Sequence, residues 1–277
     1  MTLPLIQAIL FAVLQGITEL FPISSLGHGV IVPTWLHWAI DPREPAFLPF
    51  MVVLHLGTAA ALLLYFWRDW AELIGGFLRA KGGFGNEQSR LMWRLMFGTI
   101  PAGLIAFALE KQIRALFTST TVVLVFLAVN GVILLIGDQL KRRRAHRDLD
   151  DLSAGGAIGI GVAQALALIP GISRSGVTLV AGLAQGLDYV SSARFSFLLA
   201  TPIIAAAGMH QVPKMIKLGP TVPWPLVIAC GVIAGVLAYL STWVLMRWFK
   251  KSEIESLRPF GYYCLIVGIG GLVANFL

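Results

Sequence analysis

The chain has 277 residues, of which 57% are hydrophobic and 13% charged, and its formal net charge is +7. Soluble domains carry about 25% charged residues. This composition therefore excludes an ordinary soluble enzyme and predicts that lipid is the solvent. The basic residues stand between long apolar runs and do not form a domain of their own. That pattern favours anionic lipid headgroups over nucleic acid as the partner.

The first apolar segment, residues 4–36, is broken near its middle between Gln15 and His28. Each arm beside the break has about ten residues, hence about 15 Å of helix, or half of a hydrocarbon core. Irregular backbone at membrane depth is tolerated where it is buried in protein or lines a wet cavity. We therefore expect a re-entrant helix–loop–helix hairpin. Residues 154–187, broken between Pro170 and Thr178, predict a second hairpin.

Six further apolar runs approach the ~20 residues that a transmembrane helix needs. Three follow each hairpin: residues 50–67, 91–109, 117–136, 195–209, 223–246 and 259–277. The sequence thus predicts an all-α polytopic membrane protein with six transmembrane helices and two re-entrant hairpins. We expect residues 1–277 to form one integral membrane domain.

The two halves of this layout are related in sequence. An offset of 149 residues pairs Gln15 with Gln164, Ile23 with Ile172, Ser24 with Ser173 and Gly27 with Gly176. These identities predict inverted repeats over about 1–136 and 150–277. Inverted repeats with broken helices place their binding site at the repeat interface near the bilayer midplane, so we expect the two hairpin tips to meet there.

Loop charges give the orientation. With both hairpins returning to their own side, fourteen Lys and Arg residues fall on one side and five on the other. The richer side is cytoplasmic by the positive-inside rule. This predicts a cytoplasmic loop at Lys141–Arg147, an extracytoplasmic loop around Arg43, and extracytoplasmic termini.

Arg174 lies at the tip of the second hairpin, where an arginine costs roughly 2.5–3.5 kcal/mol on insertion scales. Its forked donors match phosphate oxygens. Ser173, Ser175 and Gly176 surround it, and a helix predicted to begin just after it offers free N–H groups. We interpret this tip as a phosphate site. The alternative is a structural ion pair with Glu19.

The first hairpin supplies further reactive groups. Gln15 and Glu19 share a helix face, and this carboxylate could hold a divalent cation, orient a histidine or act as a base. Gln15 could instead satisfy backbone freed by the break. Ser25 and His28 are three apart and make a nucleophile–base pair, with a plain helix cap as the alternative for the serine. For His55 we favour a buried hydrogen bond to a neighbouring helix over catalysis.

At Gln15 to Glu19, Pro22 to His28 and Pro170 to Thr178 the chain resembles the undecaprenyl-diphosphate phosphatase family of the bacitracin-resistance type. The resemblance covers the whole chain. It implies removal of the terminal phosphate from undecaprenyl diphosphate in the bacterial inner membrane, which recycles the lipid carrier for peptidoglycan synthesis.

By position, the resemblance makes Ser25 the nucleophile or the group that positions a water, His28 its acid/base partner, and Arg174 the diphosphate clamp. Glu19 and Gln15 become the metal-binding or histidine-orienting pair. The implied substrate-binding residues are Ser24, Gly171, Ser173, Ser175, Gly176 and Thr178. The implied cofactor is a divalent cation, Mg²⁺ or Ca²⁺, held more weakly here because Gln15 stands where many members have Glu.

The expected partners are undecaprenyl diphosphate, membrane phospholipids and a second copy of the chain in a homodimer. Secondary transporters share the inverted-repeat architecture. The alternative function is therefore a flippase or transporter of a phosphorylated prenyl lipid. Such a protein needs Arg174 but not a reactive Ser25 and His28.

Overall fold

The computed structural model describes residues 4–40, 44, 47–117, 119–141, 147–217, 219, 222–251 and 256–276. Within these residues the chain is helical, with one isolated β-bridge between Arg147 and Leu187. The predicted all-α class is confirmed. The helices are α1 (Leu5–Thr18), α2 (Ser25–Trp35), α3 (Phe47–Tyr65), α4 (Trp67–Arg79), α5 (Glu87–Ala108), α6 (Glu110–Leu116), α7 (Thr120–Lys141), α8 (Ala154–Ala165), α9 (Arg174–Ala184), α10 (Tyr189–Ile216), α11 (Trp224–Lys251) and α12 (Arg258–Phe276), with short 3₁₀ turns at Leu149–Asp151 and Leu166–Leu168.

Each of the six predicted spans lies on a helix: α3, α5, α7, α10, α11 or α12. Four helices of the described chain, α5, α7, α10 and α11, are long and apolar enough to cross a membrane. A fifth span forms if α3 and α4, which meet at an angle of 77°, are taken together. The protein is therefore a multi-pass membrane protein. The sequence prediction missed α4, which is strongly amphipathic and carries charges such as Arg68 and Asp69.

Both predicted breaks are present. The first lies between α1 and α2, and the second between the 3₁₀ turn at Leu166–Leu168 and α9. The two breaks restart their helices in the same way. Ser24 caps α2 by accepting from the Gly27 amide, and Ser173 caps α9 by accepting from the Gly176 amide, both at 3.2 Å. These are the residues that the 149-residue offset pairs.

The helices also pack in corresponding pairs. In the first half α1 and α3 both pack against α11. In the second half their counterparts, α8 and α10, both pack against α5. The contact between α3 and α11 depends on small residues, because a Cβ atom added at Gly57 would overlap the Gly231 carbonyl oxygen. Small residues allow the backbones of membrane helices to approach closely, which is where much of their packing energy arises.

We expect Gly57→Ala to destabilise the protein, because overpacking of a tight contact costs about 1–3 kcal/mol. Gly270→Ala is the matched control, since a Cβ atom there meets nothing within 4 Å. Thermal unfolding in detergent measures both. A Gly57→Ala protein as stable as the control would show that the two helices are free to separate.

Candidate active site

The tips of the two broken segments meet at Ser24. Its hydroxyl donates to the Ile172 carbonyl at 3.3 Å and accepts from the Gly171 amide at 3.2 Å, besides capping its own helix. Gly171 has φ +107°, and a Cβ atom there would meet the Val123 carbonyl oxygen. Only glycine fits that conformation and that space. The predicted meeting of the two tips is therefore present, and Ser24 fastens them together.

Asn130 of α7 joins the same two segments, and the sequence analysis did not identify it. Its Nδ2 donates to the Pro22 carbonyl at 2.9 Å, and its Oδ1 accepts from the Ser173 amide at 3.0 Å. The side chain is fully buried. The available signal was an amide in an otherwise apolar run, because a buried polar group needs partners.

Glu19 is the centre of the site and is 6% exposed. Arg174 Nη2 donates to its Oε1 at 3.1 Å, which is the ion pair of the alternative interpretation. The other oxygen, Oε2, accepts from Ser25 Oγ at 2.5 Å and from Gln15 Nε2 at 3.2 Å, and it lies 3.0 Å from His55 Nε2. Four side chains, one each from α1, α2, α3 and α9, therefore converge on one carboxylate.

Both ring nitrogens of His55 have a hydrogen-bond partner, and one of these partners is Glu19. Its Nδ1 lies 2.7 Å from the Met51 carbonyl, one turn back on α3, and its Nε2 reaches Glu19. The predicted hydrogen bond to a neighbouring element is thus present, but its partner is the carboxylate of the site. A histidine alone in an apolar span was the sequence signal for this role.

The structure does not bring Ser25 and His28 together as the predicted pair, because each has other hydrogen-bond partners. His28 Nδ1 is 2.8 Å from the Ser24 carbonyl, and Nε2 is 2.8 Å from the Tyr263 hydroxyl of α12, on which the ring stacks. The i−4 carbonyl and the tyrosine turn the imidazole away, so Ser25 donates to Glu19 instead. Spacing placed the serine and the histidine on one helix face but did not fix their partners.

Arg174 begins α9, and its surroundings are polar. Its Nη1 donates to the Ser196 carbonyl at 3.4 Å. Thr178 Oγ1 donates to the Arg174 carbonyl at 2.7 Å and lies 2.6 Å from Ser196 Oγ, while Ser175 Oγ donates to the Glu19 carbonyl at 3.5 Å. The amides of Arg174 and Ser175 lack intrahelical acceptors, as at any helix start. The guanidinium thus stands beside a dipole end that favours anions.

Glu19, Ser25, His55 and Arg174 border a cavity of about 490 Å³. Much of the remaining wall is apolar and includes Met51, Val52, Phe107, Ile113, Phe117 and Ile203. The described residues that border it do not include His28. The cavity thus joins a charged cluster to an apolar surface.

A second polar cluster borders the same cavity. Glu110 accepts from Lys214 Nζ at 2.7 Å and from Gln211 Nε2 at 3.1 Å, and it lies 3.0 Å from His210 Nε2. The hydrogen bond from Lys214 holds the pKa of the Glu110 carboxyl well below its usual range. The carboxylate therefore stays ionised, and its bonds tie α6 to α10 at neutral pH.

Gln164 of α8 is a further residue that the sequence analysis left out of the site. It borders the cavity, is 3% exposed, and neither atom of its amide bonds to any described residue. Its offset pairing with Gln15 was the available signal.

The residues present do not fit the divalent cation that the resemblance implies. The described chain brings no three His, Cys, Asp or Glu side chains together in a way that could hold a metal. Gln15 Oε1 has no partner among the described residues and could serve as one neutral ligand. However, both oxygens of Glu19 already face Arg174, His55 and Ser25.

Known proteins resemble this chain over almost its whole length. The family model described as bacitracin resistance protein BacA matches residues 8–270. The chain belongs to this family. It is 65% identical to "Undecaprenyl-diphosphatase 2" of Chromobacterium violaceum over 269 residues, which are 97% of this chain and 98% of that one. It is 48% identical to "Undecaprenyl-diphosphatase" of Acidiphilium cryptum over 275 residues, 98% and 97% of the two chains. The family resemblance that the sequence motifs predicted is confirmed.

We expect Ser24→Ala to lower the melting temperature of this BacA-family protein, because the Gly171 and Gly27 amides then lose their acceptor. An unsatisfied buried donor costs about 1–3 kcal/mol. Ser24→Gly should cost less, since Ser24 has φ +70° and glycine adopts that conformation freely. Thermal unfolding in detergent compares the two. Equal stability of Ser24→Ala and the parent would mean that this hydroxyl does not fasten the two tips.

Proposed function

We propose that the protein hydrolyses undecaprenyl diphosphate to undecaprenyl phosphate and inorganic phosphate, and so recycles the lipid carrier for peptidoglycan synthesis. The names of its relatives support this activity. The observation that carries it is the shared carboxylate of Glu19, which accepts from Ser25 on one oxygen and from Arg174 on the other. A nucleophile, a base and a phosphate-binding cation are thereby brought to one point.

In the reaction, the Arg174 guanidinium and the first backbone amides of α9 bind the terminal phosphate of the substrate. Ser25 Oγ then attacks phosphorus and its proton passes to Glu19. The bond from phosphorus to the bridging oxygen breaks, and undecaprenyl phosphate leaves. Water next hydrolyses the phosphoserine to release inorganic phosphate and restore the hydroxyl. Phosphoryl transfer depends mainly on positioning and charge neutralisation, which this cluster provides.

The cavity supports a lipid substrate. Its apolar wall adjoins the charged cluster directly. A prenyl diphosphate has the same division, with a headgroup of several negative charges on an apolar chain. We assign the apolar wall to the prenyl units nearest the diphosphate.

The finer layout belongs to the same proposal: six spans and two re-entrant hairpins in an inverted repeat, in the bacterial inner membrane with both termini extracytoplasmic. The fourteen-to-five division of basic residues and the matching caps and helix pairs of the two halves support it. Arg43 and residues 142–146, on which the orientation partly depends, lie outside the described residues. Phospholipid contacts and a homodimer stay predictions.

Arg174→Ala should reduce phosphate release from undecaprenyl diphosphate by about a hundredfold or more, since a charge-assisted transition-state donor contributes about 3 kcal/mol. Arg174→Lys keeps the charge but loses the planar, forked donors of the guanidinium, so its rate of phosphate release should lie between those of the parent and Arg174→Ala. Detergent-purified protein and a phosphate assay measure this. Arg194→Ala is the matched control, because Arg194 pairs with Asp69, its side chain is 40% exposed, and it does not border the cavity.

Near-normal release by Arg174→Ala would leave this arginine a structural ion pair. The transporter alternative makes a different prediction for the parent protein. In that case the parent releases no phosphate, while labelled lipid crosses a vesicle membrane at a rate that Ser25→Ala does not change.

Ser25→Ala and Glu19→Gln should each nearly abolish phosphate release, and the double variant should lose little more, because groups that act as one unit fail together. His28→Gln should lose much less than either, since His28 is engaged by Ser24 and Tyr263. Steady-state kinetics of the four variants measure this. Full activity of Ser25→Ala would replace the serine by a water that Glu19 activates. Near-complete loss of phosphate release in His28→Gln would instead support His28 as the acid/base partner of Ser25.

A further inference from the structure

Two basic side chains lie against the Glu19 carboxylate. The Arg174 guanidinium faces Oε1 at 3.1 Å, and the His55 ring faces Oε2 at 3.0 Å. The Arg174 and His55 side chains are 14% and 15% exposed, and that of Glu19 is 5% exposed. A divalent cation at Glu19 would have to displace one of these two donors and then stand beside the other.

His55 is built into this position from both sides. Its Nδ1 lies against the Met51 carbonyl and its Nε2 against the Glu19 carboxylate, at 2.7 and 3.0 Å. Both oxygens accept hydrogen bonds and donate none. The ring therefore donates at both nitrogens and meets Glu19 as a cationic donor.

The neighbouring side chains Gln15 and Ser25 also present hydrogen-bond donors to Glu19. Gln15 turns its NH₂ group toward Glu19 Oε2, and Ser25 turns its hydroxyl there. Hard cations such as Mg²⁺ are bound by oxygen atoms, most often by one or two carboxylates. Here a single carboxylate is shared by two basic side chains, and Gln15 presents its NH₂ group to that carboxylate.

We propose that this protein hydrolyses its substrate without a divalent cation, and that His55 is a positioning residue that takes the place of the metal at Glu19. The proposal rests on the proposed function. Arg174 neutralises the phosphate, while His55 holds Oε2 toward Ser25. When Arg174 turns to the phosphate, His55 keeps a positive partner on Glu19.

Phosphate release and cation binding test this in parallel on detergent-purified protein. We expect the parent to release phosphate equally, within twofold, in EDTA and in Mg²⁺ or Ca²⁺. His55→Gln should lose at least tenfold in kcat with little change in KM, because the catalytic carboxylate is misplaced and Arg174 still binds substrate. His37→Asn is the matched control, since His37 is exposed and has φ +52°, which asparagine tolerates.

The double variant Gln15→Glu, His55→Gln supplies a second carboxylate and removes the competing ring. We expect its phosphate release to rise at least fivefold on adding Mg²⁺, and the spectrum of added Mn²⁺ in electron paramagnetic resonance to show a bound ion. The Mn²⁺ spectrum of the parent should match that of Glu19→Gln, because the parent is expected to bind no ion through Glu19. A double variant that ignores both cations would contradict the assignment of His55.

Loss of parent activity in EDTA with recovery in Mg²⁺, or Mn²⁺ binding by the parent that Glu19→Gln removes, would overturn the proposal. The resonance measurement needs no turnover. It therefore decides the metal question even where the parent releases no phosphate, a result that would refute the proposed function instead.

Discussion

The ion pair between Glu19 and Arg174 joins two breaks that are 155 residues apart in the chain. Each charge alone at membrane depth is costly, and a buried pair is stable only with good geometry and further hydrogen bonds on its remaining atoms. Here Ser25 and Gln15 donate hydrogen bonds to the carboxylate, and His55 lies 3.0 Å from it. The Ser196 carbonyl accepts from the guanidinium. The site therefore exists only when the two halves of the chain are packed together.

The backbone of the two breaks imposes a second demand on the same few residues. Broken helices free N–H and C=O groups in a region where lipid offers no partner. Ser24 and Asn130 satisfy several of them and fasten the tips in doing so. Ser24 was predicted to bind substrate, and its hydroxyl is already engaged three times. The groups left for a phosphate are the guanidinium and the first amides of α9.

The sequence predicted what local chemistry decides. Pro22 and Pro170 disfavour a continuous helix, and Ser24 and Ser173 cap the helices that follow, so the breaks fall where expected. The partners of each side chain depend on tertiary contacts. His28 meets Tyr263 from 235 residues away, and His55 meets Glu19 across α1 and α3, so spacing along one helix could not identify them. Helix α4 could not be predicted from long apolar runs, because it is amphipathic.

In the proposed mechanism, the same ion pair links substrate binding to the chemical step. Before substrate binds, Arg174 donates to Glu19 Oε1. In that mechanism, a phosphate oxygen of the substrate competes with Glu19 Oε1 for the same guanidinium. Glu19 then has one cationic neighbour fewer, at the moment when Ser25, already bonded to Oε2, must give up its proton. Because His55 still lies against Oε2, the carboxylate keeps its orientation toward Ser25. On this mechanism, one change of partner by Arg174 couples phosphate binding to proton transfer from Ser25 to Glu19.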